Sequence, residues 1–224
     1  MTPIPKNNVP TKTFQQLQAL GVRDASSYLE SLKDILSKTE VTLESHDSPV
    51  RNLTLNEEIN FLITDLLRVV LLANQRLIVI GNGGSAAIAI HTLADYANAG
   101  GFKTVDLFSP SLLTCMANDY GYENVFSKPI EILANSDDML FAISSSGNSL
   151  NILNACESAL AKKCRVVTFS GFSPDNPLRK LGRLNFYVPS THYGFVELSH
   201  QILIHCILAL FVKAKVYEEA RGFY

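Results

Sequence analysis

Two short stretches concentrate the residues that could do chemistry. They are Gly81-Asn82-Gly83-Gly84-Ser85 and Ser144-Ser145-Ser146-Gly147-Asn148-Ser149. Each follows an apolar run and leads into a helical pattern, so each reads as a strand-to-helix turn. The first turn of a helix carries unpaired backbone N–H groups and partial positive charge, and it attracts anions. Glycines let the backbone come close to a ligand, and serines add hydroxyl donors. Facing each other, two such turns suit a phosphomonoester on a polyhydroxylated substrate. Alone, either one could be only a tight turn or a helix cap.

A dinucleotide reading competes. Gly81-x-Gly83-x-x-Ala86 satisfies the relaxed glycine fingerprint, which also asks for an acidic residue at the end of the next strand. Asp106 lies in that strand, but Leu107-Phe108 follow it, so it is not expected to be terminal. The fingerprint also leaves the serine-rich turn without a purpose, so no nucleotide cofactor is expected. No Gly-Lys-Ser/Thr follows the glycines, which removes the Walker alternative.

The turns meet only if the right elements carry them. Candidate strands are 76–80, 103–108, 139–144, 165–170 and 185–188. Helical patterns fall between them near 86–98, 122–132, 150–162 and 176–181, and a long final helix runs from 195 to 220. Strands alternating with helices imply βαβ crossovers and a parallel sheet. The expected class is α/β: a doubly wound five-stranded parallel sheet of order 2-1-3-4-5, with a crevice between strands 1 and 3 at their carboxyl ends. Upstream, Leu29, Leu32, Ile35 and Leu36 predict an amphipathic helix over 26–45, and ESHDSPVRN predicts a break. Ile59 to Leu71 predict a second helix. Pro3, Pro5 and Pro10 predict a loose arm at the start. Residues 1–55 are therefore taken as an arm and helical oligomerisation segment, and 56–224 as the catalytic-type domain.

Composition narrows the classes. Of 224 residues, 47% are apolar and only 18% charged, against ~25% charged in an ordinary soluble domain. That deficit implies surface buried against another chain. The net charge of −2 offers no electrostatic footprint for nucleic acid. The longest nearly apolar run, Ile202 to Val212, is interrupted by His205 and falls short of the ~20 residues that span a bilayer. The polar, proline-bearing start lacks the apolar core of a signal peptide, so a cytoplasmic protein is expected. Cys115, Cys156, Cys164 and Cys206 form no CxxC pair and read as small apolar groups.

The turns resemble those of the sugar isomerase (SIS) domain, and most closely the phosphoheptose isomerase group, over residues ~55–215. Four motifs in order carry the resemblance. They are the first turn with His91 downstream; Ala117-Asn118-Asp119-Tyr120-Gly121; Ile143 with the serine turn; and Val188-Pro189 leading to Tyr193-Gly194 and the last helix. The group interconverts sedoheptulose 7-phosphate and a mannoheptose 7-phosphate. Its members are usually homotetramers with N-terminal helices between subunits. The resemblance implies that Asn82, Gly83, Gly84 and Ser85 line the substrate site and that Ser144, Ser145, Ser146 and Ser149 hold the phosphate. It also implies that Asn118 and Asp119 meet sugar hydroxyls, from a neighbouring subunit.

The catalytic end departs from the pattern. Isomerisation through an enediol needs a base at the carbon beside the carbonyl and an acid that moves a proton between the oxygens. The group's base is a Glu where this chain has Asp95, and its acid a His where this chain has Leu208. Many members bind zinc through those two positions, the His at 91 and a Gln where this chain has His200. The expected metal set, with zinc as the cofactor, is therefore His91, Asp95 and His200. Glu197 stands where the group has Asp. Asp95 or Glu197 is the expected base and His192 or a metal-bound water the expected acid. His205, roughly 140° around the helix from His200, is expected to point away. The leading reading is an aldose–ketose isomerase of phosphosugars, in heptose, lipopolysaccharide or capsule synthesis. The alternative is a regulator or scaffold that binds a phosphosugar without turnover, resembling the SIS-fold protein that associates with the bacterial replication initiator.

Overall fold

The computed structural model describes residues 11–45, 48–52, 54–68 and 75–220. The arm at residues 1–10 and the end of the second expected helix, 69–71, lie outside the described residues. Eight α-helices are described: α1 Thr11–Ala19, α2 Ala25–Ser37, α3 Leu55–Leu67, α4 Gly84–Asp95, α5 Pro110–Tyr120, α6 Ser127–Leu133, α7 Leu150–Ala161 and α8 Tyr193–Ala220. Seven strands accompany them: β1 Glu40–Ser45, β2 Ser48–Asn52, β3 Arg76–Gly81, β4 Lys103–Val105, β5 Met139–Ser144, β6 Arg165–Ser170 and β7 Leu184–Tyr187.

The seven strands form one sheet in the order β2-β1-β7-β6-β5-β3-β4. Its five parallel strands are those expected, and β4-β3-β5-β6-β7 is the 2-1-3-4-5 order. Apolar residues alternate between the two sheet faces because side chains alternate along a strand. Leu77, Val79, Phe141 and Phe169 face the layer of α2, α3, α4 and α8, while Ile78, Ile80, Leu140 and Ala142 face α6 and α7. Both faces are covered, as parallel strands require.

The departures lie mainly outside this core. The expected helix over 26–45 stops at Ser37, and the chain turns into β1. Glu40-Val41-Thr42-Leu43 is a period-two, β-branched run, and it pairs antiparallel with the open edge of β7. The expected break supplies β2, so this hairpin extends the sheet to seven strands. Helix α5 was not anticipated; Pro110 opens it, at a position where a missing N–H costs nothing. The segment expected as one helix over 122–132 is a 3-10 turn followed by α6. Strand β4 ends at Val105, so Asp106 does stand at its end, contrary to expectation. Its carboxylate accepts the Phe108 N–H at 2.7 Å and closes the local turn.

Helix α8 runs 28 residues, and over Tyr193–Val216 it is long and apolar enough to cross a bilayer by those measures alone. Half of that stretch is buried in this fold. Phe195, Val196, Ile204, Ile207 and Phe211 pack into the core, and Ser199 and His200 are enclosed with them. Its apolar length is explained by its place as the central core helix.

Candidate active site

The register places the two chemical turns side by side. Gly81 is opposite Ile143 at the carboxyl ends of β3 and β5, and Ser144 is opposite Ser170 on β6. A cavity of about 250 Å³ opens there. It is lined by Asn82, Gly83, Gly84, Ser85, Ser144, Ser145, Ser146, Ser149, Tyr193 and Glu197.

Side-chain capping varies among the helices, and α5 and α6 start without it. Helices α2 and α3 start with complete capping boxes, Asp24 with Ser27 and Thr54 with Glu57. Helices α4 and α7 start at Gly83 and Ser149 with no side-chain cap. Their first backbone N–H groups are left for a ligand, and the helix dipoles favour an anionic one. The Ser145 hydroxyl adds to this, because it is buried, lines the cavity and has no hydrogen-bond partner among the described residues. A buried hydroxyl without a partner is costly unless a ligand satisfies it.

The serine turn is held from behind. Gly147 has φ +65°, and it donates its N–H to Ser144 O at 3.1 Å and lies near Ser144 Oγ at 3.2 Å. A β-carbon there would collide with Asn176. That buried amide donates to Ser170 Oγ at 3.1 Å and to Ser173 O at 2.8 Å. Asn151, on the first turn of α7, is tied to Asn82, and the Tyr122 hydroxyl donates to Asn82 Oδ1 at 3.1 Å.

Glu197 closes the cavity from α8. Its carboxylate rests against Gly84, where a β-carbon would overlap it, and burial pushes its pKa up. A raised carboxylate is a stronger base, which suits proton abstraction from carbon. Tyr193 supplies the cavity's phenol, its ring edge-on to Phe172 at 4.7 Å between centroids.

The remaining candidates are elsewhere. His192, expected as an acid reaching the crevice, is buried, and its Nδ1 accepts the Phe195 N–H at 3.3 Å. Burial lowers its pKa. It caps the start of α8, and the neighbouring Tyr193 faces the cavity in its place. Asn118 and Asp119 sit exposed on α5, with Asn118 Nδ2 donating to Asp119 Oδ1 at 2.9 Å, and neither lines the cavity.

The expected metal set also separates. His91 Nε2 lies 3.1 Å from Asp95 Oδ2, the i,i+4 pair anticipated. His200 is fully buried against the sheet, its Nε2 3.1 Å from the Ser170 carbonyl, and burial lowers its pKa to about 4. Leu208 packs in the core beside Gly100 and offers no donor. His200 and Leu208 therefore do not join His91 and Asp95, and the expected set His91, Asp95 and His200 is not brought together. His205, expected to point away, meets His91 with 3.2 Å between their Nε2 atoms. The angle between His200 and His205 was read correctly, but its reference was not. His200 faces the sheet, so the residue 140° from it faces α4.

Four residues escaped the sequence reading. Asn151, Asn176 and Tyr122 are supports whose partners are 69, 6 and 40 residues away, so no local pattern marks them. Tyr193 stood within a motif but carried no role. A larger hollow of about 590 Å³ lies between α1 and α2, lined by Leu17, Val22, Tyr28 and Leu29. It is largely apolar, its acid, Asp24, is spent capping α2, and Arg23 is the one cationic side chain among the described residues that line it.

Comparison with known proteins agrees with the cavity. The SIS domain family model matches residues 51–171. A phosphoheptose isomerase of Sodalis glossinidius is 31% identical over 197 residues, covering 84% of this chain and 98% of that protein. A phosphoheptose isomerase from Neisseria gonorrhoeae superposes with a TM-score of 0.63 at 30% identity, over 70% of this chain and 87% of that one. One from Francisella tularensis gives 0.69 at 24% identity, over 84% and 96%. The chain belongs to the SIS domain family, in the group that includes the phosphoheptose isomerases.

Proposed function

We propose that this protein is an aldose–ketose isomerase acting on a phosphosugar, with sedoheptulose 7-phosphate as its substrate, in bacterial surface-glycan heptose synthesis. The observation that carries the reading is the cavity itself: two uncapped helix starts and an unpartnered serine hydroxyl at one end, a carboxylate with raised pKa at the other. Relatives with nearly full-length similarity are named phosphoheptose isomerases.

The reaction needs no external oxidant, since one carbon is oxidised as its neighbour is reduced. The N–H groups of α4 and α7 with Ser145 and Ser149 bind the phosphate and fix the sugar's direction. Glu197 takes the proton from the carbon beside the carbonyl and returns it to the adjacent carbon. Tyr193 donates its proton to the carbonyl oxygen as negative charge develops there, and its phenolate takes up the proton of the second oxygen as the new carbonyl forms.

One observation favours a second reading, binding without turnover: Leu208, at the position the sequence reading gave to the group's acid, is buried and offers no donor. A single assay separates them. Sedoheptulose 7-phosphate incubated with enzyme in D₂O and followed by NMR should give the aldose with deuterium at the exchanged carbon. Glu197→Gln should cut that rate by about 10²–10⁴ while the sugar still binds. Binding with neither turnover nor exchange in the wild type establishes the regulator reading.

We read the exposed Ile90, Leu198, Ile202 and Leu210 as part of a face that packs on further copies of the chain. A tetramer in the cytoplasm is the expected form, and light scattering on the purified protein measures it.

A further inference from the structure

We infer that Phe172 is a positioning residue for the proposed reaction: the fold holds it in a left-handed backbone conformation so that its ring fixes the Tyr193 phenol at the mouth of the cavity. The inference rests on the reading that has Tyr193 move the proton between the sugar oxygens.

Three non-glycine residues among those described have positive φ: Asp137, Lys163 and Phe172. Two of them are ordinary. Lys163 follows the end of α7, where its N–H and that of Cys164 reach back to Leu160 O and Ala159 O, and helices commonly end on a left-handed residue. Asp137 lies in the turn before β5, and aspartate is enriched in this conformation. Phe172, at φ +60°, sits two residues past β6 beside the cavity, where a bulky side chain is sterically disfavoured. Glycine would take that conformation freely, so the ring at this position has a use that glycine could not serve.

Strain of this kind persists only where the surroundings over-determine it. The Phe172 N–H donates to Ser190 O at 2.9 Å, and Phe172 O accepts from the Tyr187 hydroxyl at 3.0 Å. Tyr187 is buried at the end of β7, with the Arg179 guanidinium over its ring at 4.4 Å. Arg179 is paired in turn with Glu40 of the edge hairpin at 2.6 Å. On the other side, a β-carbon at Gly171 would overlap Val196 on α8 and crowd the Ser145 carbonyl. The segment is wedged between α8 and the serine turn.

The Phe172 and Tyr193 rings meet at 80° with 4.7 Å between centroids, a favoured aromatic geometry. Tyr193 is 59% exposed, and no other aromatic ring among the described residues packs on it. Without Phe172 its phenol would sample several rotamers at the mouth. Proton transfer needs that hydroxyl within hydrogen-bond reach of the sugar oxygens. Phe172 is not among the residues lining the cavity, so it acts through Tyr193.

The test is a double-mutant cycle in the full-length protein with sedoheptulose 7-phosphate. Phe172→Gly accepts the same φ and should lower kcat roughly 10–100-fold, with KM within about threefold of wild type. Phe172→Tyr keeps the ring and should retain most of the rate. Tyr187→Phe removes one of the two hydrogen bonds on Phe172 and should lower kcat in the same direction, with urea unfolding confirming that each variant folds. In a Tyr193→Phe background, Phe172→Gly should cost nothing further, since the phenol it positions is gone. Wild-type kcat in Phe172→Gly, or an equal fractional loss in both backgrounds, overturns the inference. Where Tyr193→Phe keeps the wild-type kcat, or the wild type binds the sugar without turnover, the proposed function fails and NMR of ¹³C-tyrosine protein still decides the positioning. The Tyr193 signal, identified by its loss in Tyr193→Phe, should shift when the sugar phosphate is added to wild type and stay in place in Phe172→Gly; equal shifts in both overturn the inference.

Discussion

The carboxamides of Asn82 and Asn151 hydrogen-bond each other in both directions, 2.9 Å each way. Asn82 belongs to the turn after β3, and Asn151 to the first turn of the helix after β5. The two walls of the cavity are thus locked to each other by side chains as well as by the sheet. Each amide satisfies the other's donor and acceptor, and Tyr122 adds a second donor to Asn82.

Removing one partner should therefore cost more than one hydrogen bond. Asn151 is buried, and Asn151→Ala leaves the Asn82 amide unpaired on that side. A loss of about 1–3 kcal/mol in urea unfolding is expected. Phosphosugar affinity should fall as well, because the walls lose their register. An unchanged unfolding midpoint would show that the pair contributes nothing net.

Ser145→Ala should separate stability from binding. The hydroxyl has no partner among the described residues, so its removal should leave the unfolding midpoint unchanged or raise it slightly. The same change removes a hydrogen bond to an anion, about 1.5–3 kcal/mol, and should weaken sugar-phosphate binding roughly 10–100-fold by calorimetry. Equal affinity in wild type and variant would take Ser145 out of the phosphate cradle.

Gly84→Ala places a methyl group where the Glu197 carboxylate rests. The helix start tolerates alanine, so the fold should persist while the base moves. A displacement near 1 Å should lower kcat on the order of 100-fold. The binding constant should change far less, since the phosphate loops keep their hydroxyls. Wild-type kcat in this variant would remove Glu197 from the role of base.

His200 sets a pH limit on stability. Its folded pKa is lowered to about 4 from 6.5, so between those values the unfolded chain binds a proton that the folded chain refuses. Stability is full above pH 6.5 and declines as the pH falls toward 4, by roughly 3 kcal/mol from this residue. In His200→Asn, which keeps a side-chain donor for the Ser170 carbonyl, the decline over that window should be shallower. Parallel curves for wild type and variant in urea titrations at pH 7, 6, 5 and 4 would refute the assignment.

The β3-to-β7 core was legible in the sequence because its determinants are local and repetitive. Runs such as Leu77-Ile78-Val79-Ile80 need only their own composition to become doubly covered strands, and the alternation with helices then leaves few topologies. The hairpin at Glu40–Asn52 was not legible. Its alternation is short, and it becomes strand by completing the β7 edge, a contact more than 130 residues distant. The two turns were legible because glycine and serine, at strand ends before helices, carry their chemistry in the residue types themselves.

The histidines mark the boundary between the two kinds of information. The sequence determined the helical phase of His200 against His205, since 3.6 residues per turn is a property of the backbone. It could not determine which side of α8 faces the sheet, because that helix is apolar almost all round and its pattern gives no direction. Packing of α8 on β6 and α4 decided it, turning His200 to the Ser170 carbonyl and His205 to His91. Identity and spacing along the chain follow from the sequence; which side chains meet across 114 residues follows only from how the layers stack.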